Sequence, residues 1–321
     1  MTSRSDLLRV SIRLIGPILL IAVVWSLDDK VALWRAIKSC DPLLLVAALL
    51  LNVPVVHLKV ERWRDLLAAR GHQYPLKRSY AAVLSSIYLG MLTPGRVGDV
   101  LRIQYVRKEI GVPYAEGLAA TVMDRFCDLY VLAAVVALGT VHFASVLNSD
   151  LTYMSWVAVT IAFFAPTLFL LKGPAELFTH ALSRLTVRWH TSLNALLEAL
   201  RAMVRRALFV ALPLTVAGFA IVYAQGWVIA RAMGIDLSYL DVASLLATTS
   251  LLGLMPISVS GVGVRELFLA LVFPALGLLA EEGVVFGLLV FVCNYLAVVL
   301  AGFVAWQVSP PPFEADLVDP E

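Results

Sequence analysis

The chain has 321 residues, of which 60% are hydrophobic and only 15% are charged, and its formal net charge is +2. Soluble domains carry about 25% charged residues, so this composition and a mean hydropathy of +0.87 exclude an ordinary soluble domain. The long apolar runs are continuous rather than alternating, which also excludes a transmembrane β-barrel. We therefore predict an all-α protein, a polytopic membrane helix bundle.

In chain order, the apolar runs predict six full spans, at roughly 10–27, 42–60, 116–145, 151–171, 207–231 and 284–307. Two further apolar segments, about 79–108 and 240–281, are interrupted by proline and glycine. Each of these is predicted to be a broken, re-entrant helical hairpin or a pair of spans, because irregular backbone at membrane depth needs protein or a wet cavity around it. A single transmembrane domain is expected over 1–308, with a disordered acidic tail over 309–321.

The basic residues of the connecting segments predict the orientation of the chain. Segments 59–78 and 172–206 each hold six lysines and arginines, whereas the loops on the other side hold few. We therefore expect both termini on the cytoplasmic side of the membrane. Segment 176–206 has leucines at helical spacing with arginines between them, which predicts a cytoplasmic amphipathic connector. That helix either lies in the membrane interface or packs on the bundle.

The two interrupted segments follow the same order, in which a tyrosine and an apolar run precede a helix break and then charged residues. The first enters at Tyr80 and the second at Tyr239, from opposite sides in the predicted topology. This pattern is typical of an inverted repeat, here with repeat-like segments of about 42–145 and 207–307, whose breaks mark a substrate site near the bilayer midplane. The helix-break residues are Pro94, Gly95, Gly98, Pro256, Gly261 and Gly263.

Charged side chains are costly inside a span, and those that occur there are often functional. In span 116–145 two aspartates lie four residues apart on one helix face, and Arg125 is close enough in sequence to reach Asp128. Arginines beside a helix start suit a phosphate-bearing headgroup. The alternatives are ion pairs that only fix helix packing, or nonspecific contacts with lipid phosphates. The predicted headgroup-cavity residues are Arg96, Asp99, Arg102, Asp124, Arg125, Asp128, Arg265 and Glu266.

Other features of the sequence point away from cofactor chemistry. The three cysteines have no paired spacing and are interpreted as apolar fillers. No ATP-binding P-loop, zinc motif or nucleophile elbow occurs, so we expect no catalytic residue, no metal, no cofactor and no nucleic-acid partner. Isolated polar residues in the apolar runs, which we left unassigned, are Asn52, His57, Gln225 and Asn294.

Four motifs, taken in order, resemble those of the lysylphosphatidylglycerol synthase transmembrane-region family of flippase-like membrane proteins. They are Glu61-Arg62-Trp63, Thr93-Pro94-Gly95-Arg96-Val97-Gly98-Asp99-Val100-Leu101-Arg102, Asp124-Arg125-Phe126-Cys127-Asp128 and Pro256-Ile257-Ser258-Val259-Ser260-Gly261-Val262-Gly263-Val264-Arg265-Glu266. Asp99 and Asp124 stand where the family usually has glutamate. The resemblance covers about 10–307 and implies a standalone member without the aminoacyl-transferase domain.

The resemblance implies a translocase for the headgroups of polar lipids or glycolipids, with passive or ion-coupled movement and a substrate that remains open. Two alternatives are a membrane enzyme or component of glycolipid and cell-envelope lipid biosynthesis, and a scaffold that binds a lipid-modifying enzyme through 176–206. The oligomeric state is also left open.

Overall fold

The computed structural model describes residues 38–144, 149–171, 173, 187–253 and 261–310, without the side chains of 92, 94–97, 151 and 187–191. The predicted span 10–27, the break residue Pro256 and most of the predicted tail lie outside the described residues. Within them every element is helical, and no strand occurs.

The first half of the chain contains α1 (Pro42–Leu50), α2 (Asn52–Ala68), α3 (Leu76–Leu92), a 3₁₀ segment (Pro94–Leu101), α4 (Arg102–Ile110), α5 (Tyr114–His142) and α6 (Ser149–Leu170). The second half contains α7 (Val187–Arg206), a π segment (Ala207–Ala211), α8 (Leu212–Ala232), α9 (Tyr239–Leu252), α10 (Val264–Val272), a 3₁₀ turn (Phe273–Leu276), α11 (Ala280–Val290), a second π segment (Phe291–Leu296) and α12 (Ala297–Val308).

Four stretches of described helix are long and apolar enough to cross a membrane, namely 42–68, 152–170, 192–232 and 280–308. They coincide with the predicted spans that begin at 42, 151, 207 and 284. The predicted span 116–145 corresponds to α5, whose 29 residues extend about 44 Å at 1.5 Å per residue. The protein is thus a helical membrane protein, and the count of six full spans stays a prediction.

The first predicted break is a sharp reversal of the chain at Thr93. The Thr93 hydroxyl donates to the Leu89 carbonyl and accepts the Gly98 amide, both at 2.9 Å. A Cβ at Gly98 would lie 2.3 Å from the Leu89 carbonyl carbon, so only glycine lets the 3₁₀ segment press against the end of α3. The chain therefore folds back on α3 instead of continuing its axis.

The second break also brings its two ends together. A Cβ at Gly261 would lie 3.5 Å from the Gly253 Cα, so the chain leaves and returns at nearly the same point. Gly261 and Gly263 have φ of +73° and +85°, a left-handed conformation that favours glycine. The Glu266 carboxylate accepts the Gly263 amide at 2.6 Å and caps the start of α10.

The connector predicted over 176–206 is described from residue 187 onward. There α7 passes through the π segment into α8 without a break, and it packs against α5 through a buried side that includes Leu197, Leu200 and Met203. Arg206 at its end pairs with Asp65 of α2. The described part of this helix therefore packs on the bundle.

Helices of the first half of the chain pack against helices of the second half. In the centre, α2 packs against α8, while α3 packs against α12 of the other half and α9 packs against α5. Small residues allow close approach at both exchanged contacts: a Cβ at Gly302 would lie 2.4 Å from the Leu84 carbonyl oxygen, and one at Gly139 would lie 2.7 Å from the Ser244 Cβ. As a result, Asp99 of the first break and Gly253 and Gly261, the described ends of the second, border one interior cavity.

Candidate functional site

A compact cluster of buried charge lies in this interior. It draws on α2, the first 3₁₀ segment, α4 and α5, and it contains equal numbers of arginines and aspartates. Its members are Arg62, Asp99, Arg102, Asp124, Arg125 and Asp128.

Arg62 is the central cation of the cluster and is only 3% exposed. Its Nε lies 2.5 Å from Asp124 Oδ1, and its Nη1 lies 2.7 Å from Asp128 Oδ1. The same Nη1 donates to the Thr215 hydroxyl at 2.7 Å. One side chain of α2 thereby joins α5 to α8.

Arg102 holds Asp124 from the opposite side. Its Nη2 donates to Asp124 Oδ2 at 3.0 Å, and its Nε donates to the Thr121 hydroxyl at 3.2 Å. Its guanidinium also lies over the Trp63 ring, 5.4 Å from the centroid, which is within cation–π range. Asp124 therefore receives two fully buried arginines, and its position is fixed by three helices.

Arg125 is the most exposed cation of the cluster and the least tightly held. Its Nη1 lies 3.1 Å from Asp128 Oδ2, which confirms the predicted contact within the helix, and its Nη2 lies 3.2 Å from Asp124 Oδ2. Its Nε is 3.5 Å from Asp99 Oδ2, too far for a good hydrogen bond. The pair of Arg125 and Asp99 is thus the part of the cluster best able to exchange its partner for a ligand.

The second half contributes a separate buried ion pair, Arg265 and Glu266. Arg265 Nη2 lies 2.5 Å from Glu266 Oε1, and Glu266 is 0% exposed. The Arg265 guanidinium also lies over the rings of Phe291 and Tyr295, 5.5 and 5.4 Å from their centroids. Arg265 and Glu266 therefore pair with each other.

A cavity of about 380 Å³ connects the two breaks. Gly90 and Asp99 border it from the first break, and Gly253, Gly261 and Arg265 border it from the second. Its charged lining has four basic and two acidic residues, namely Lys59, Arg62, Arg125, Arg265, Asp99 and Asp128. The carboxylates of Asp124 and Glu266, directly behind this lining, pair with Arg62 and Arg265, so the cavity is lined with arginine donors but has little net charge.

The predicted site residues divide into three groups. Asp99, Arg125, Asp128 and Arg265 border the cavity, whereas Arg102, Asp124 and Glu266 stand behind that lining and hold it. The side chain of Arg96 is outside the described residues, although its backbone lies in the 3₁₀ segment.

Five charged or amide residues that border the cavity are absent from the set predicted from the sequence: Asn52, Lys59, Arg62, Gln225 and Asn294. For Arg62 a signal was present, because it shares a buried helix side with Trp63, Leu66 and Leu67. In the described part of the chain, no group of three or more His, Cys, Asp or Glu could hold a metal ion.

Comparison with known proteins relates the chain to one family. The family model described as lysylphosphatidylglycerol synthase TM region matches residues 11–302. A protein named glycosyltransferase AglD from Haloferax volcanii is 25% identical over 128 residues, which cover 40% of this chain and 20% of that protein. A UPF0104 membrane protein from Methanothermobacter thermautotrophicus is 23% identical over 150 residues, 44% of this chain and 43% of the relative. The chain thus spans less than half the length of either relative.

Proposed function

The chain belongs to the lysylphosphatidylglycerol synthase TM region family, and from this membership and the charged cavity we propose that it translocates the headgroups of polar lipids or glycolipids across the inner membrane. The observation that carries the proposal is the arginine-lined cavity between the two helix breaks, bordered by Arg62, Arg125 and Arg265. Such a cavity supplies the polar surface that a headgroup needs while its acyl chains stay in lipid.

The exchanged helix contacts support an alternating-access mechanism built on an inverted repeat. In the first half, a broken segment lies between the long helices α2 and α5. In the second half, the other broken segment lies in the same way between α8 and the pair α11–α12. The first helix of each broken segment packs on the long helix that ends the other repeat-like segment, α3 on α12 and α9 on α5. Two such units can rock about the α2–α8 contact and open the cavity to one side at a time.

The end of α12 supports the part of the proposed orientation that puts the C-terminal side in the cytoplasm. Near the end of α12, the Ser309 carbonyl accepts the Tyr105 hydroxyl at 2.7 Å, and the Ser309 hydroxyl lies 3.4 Å from Arg78 Nη1. The end of α12 at Ser309 is therefore on the same side as the start of α3, where Arg70, Lys77 and Arg78 favour the cytoplasm.

The test is lipid scrambling in proteoliposomes that contain fluorescent anionic and zwitterionic lipids. Arg125→Ala should slow scrambling of an anionic lipid by roughly 10- to 100-fold, the loss expected when one or two charge-assisted hydrogen bonds are removed. Arg64→Ala is the matched control, because Arg64 pairs with Glu61 at 2.7 Å and does not border the cavity. Wild-type vesicles that scramble no lipid faster than protein-free vesicles would refute the proposal.

A second candidate is a role in the synthesis of glycolipids, which is favoured by the similarity to a protein named as a glycosyltransferase. In that case Asp99 and Asp128, the carboxylates that border the cavity, would be the candidate catalytic groups for a lipid bound there. Consumption of a sugar donor by the purified protein would favour this candidate over translocation.

A further inference from the structure

The cavity has two chemically different ends, set by α2 and α8. On α2, Asn52 and Arg62 are ten residues apart, and on α8 so are Thr215 and Gln225, which is about 15 Å along each helix axis. Arg62 contacts Thr215, whereas Asn52 and Gln225 both donate to the Cys293 carbonyl, at 2.7 and 3.4 Å. The helices are therefore antiparallel, with an ionic end at Arg62 and an amide end at Asn52.

At the amide end, hydrogen bonds fix the orientation of the Gln225 side chain. Its Nε2 donates to the carbonyls of Ala48 and Cys293, so the nitrogen is assigned by two acceptors and the oxygen points elsewhere. Gln225 is 0% exposed, and its Oε1 accepts no hydrogen bond from any described residue. A buried amide oxygen without a donor is unfavourable, and such a group in a native structure calls for an explanation.

The side chain of Asn294 contributes a second buried amide oxygen. Its Oδ1 is also buried and receives no hydrogen bond from the described part of the chain. It lies in the π segment Phe291–Leu296, and such segments occur frequently at functional sites. Both amides border the cavity, together with the aromatic rings of Phe219 and Tyr295.

The two ends call for different ligand groups. The ionic end, with Lys59, Arg62 and Arg125, supplies the donors that a phosphate accepts. The amide end instead offers free acceptors, so it needs a ligand that donates, and the hydroxyls of a sugar or polyol are such donors. We propose that the cavity takes a headgroup in which a phosphate is joined to a sugar or polyol, with the phosphate at the ionic end and the hydroxyls at the amide end. This inference rests on the proposed translocation.

The test compares three fluorescent lipids in phosphatidylcholine proteoliposomes: phosphatidylinositol with both parts, phosphatidylmethanol with the phosphate alone, and glucosyl diacylglycerol with the sugar alone. Wild type should scramble phosphatidylinositol about 3 to 10 times faster than phosphatidylmethanol, as expected for the net contribution of a hydrogen bond. Glucosyl diacylglycerol, which brings no anionic group to the arginines, should be slowest.

Three variants then separate the two ends. Asn294→Leu should bring the ratio of phosphatidylinositol to phosphatidylmethanol rates close to 1, whereas Arg125→Gln should lower both rates. Gln307→Leu removes an exposed amide near the end of α12, away from the cavity, and should keep the wild-type ratio. All variants are compared at equal reconstitution and with monodisperse elution, so that a misfolded variant is recognised before its rate is read.

The outcomes distinguish this inference from the proposed function. If no lipid is scrambled, translocation itself is refuted. If wild type scrambles phosphatidylinositol and phosphatidylmethanol equally, or if Asn294→Leu keeps the wild-type ratio, translocation stands and the two-part headgroup is refuted. A phosphatidylinositol rate that requires sodium in wild type but not in Asn294→Leu would assign the amide end to a cation and would also overturn the inference.

Discussion

Replacement of Arg62 by methionine should destabilise the protein far more than an equivalent change two residues away. Arg62 contacts Asp124 and Asp128 within 2.7 Å and is 3% exposed. Methionine fills much of the volume but leaves two buried carboxylates to the remaining arginines. Removal of one partner from a buried ion pair costs about 3–5 kcal/mol, because the other charge stays in the interior.

Arg64→Met is the matched control on the same helix. Arg64 pairs with Glu61 at 2.7 Å, and both side chains are about one-third exposed. A pair that is open to solvent contributes about 0–1 kcal/mol. The free energies of unfolding would be measured by SDS titration in mixed micelles, with helix content followed by circular dichroism.

A double variant makes the test specific for the ion pair. The variant Arg62→Met/Asp128→Leu removes Arg62 together with one of the two carboxylates that it pairs with. The losses of unfolding free energy in the two single variants should therefore not add, and the coupling energy between the two sites should lie within about 0.5–3 kcal/mol. If Arg62→Met costs no more than Arg64→Met, or if the two losses add fully, the cluster does not hold the bundle together in the way described.

Gly98→Ala should prevent folding of the first break, because the new Cβ would meet backbone atoms of Leu89 that cannot move aside. Gly218→Ala is the control: no atom lies within 4 Å of its new Cβ, so stability should stay unchanged or rise slightly. The yield of monodisperse protein checks this pair of variants, and equal yields would contradict the described turn. In a Cys40→Ser background, cysteines placed at Gln73 and Ser309 should react with an impermeant maleimide from the cytoplasmic side, and one at Asp236 from the opposite side. Labelling of all three from one side would refute the topology.

Local signals in the sequence were sufficient for much of the fold. Proline and glycine have fixed backbone consequences, so the interruptions at Pro94 and Gly98 could be located without any tertiary information. The charged residues of α5 were recognised for a similar reason, since they stand inside an apolar run and cannot be placed in lipid without a partner.

Boundaries and partners depend on contacts that the sequence does not display. The second span was predicted to end at residue 60, where charge appears, but no helix breaker follows and α2 continues to Ala68. The change of polarity at Arg206 likewise marks no end of helix, because the π segment continues into α8. Arg62 therefore falls just outside the predicted span 42–60, and its role emerges only when α5 and α8 pack around α2.

The exchange of contacts between the two halves has a consequence for biogenesis. When the ribosome has delivered α3 to the membrane, the helix on which it packs, α12, begins only at Ala297 and is still to be made. Until the second half is inserted, α3 therefore lacks its packing partner, and the buried ion pairs around Arg62 lack the side that α8 provides. We expect insertases or chaperones to guard this waiting stage, and a nascent chain that is truncated before α12 to be degraded rather than to accumulate as a half-sized domain.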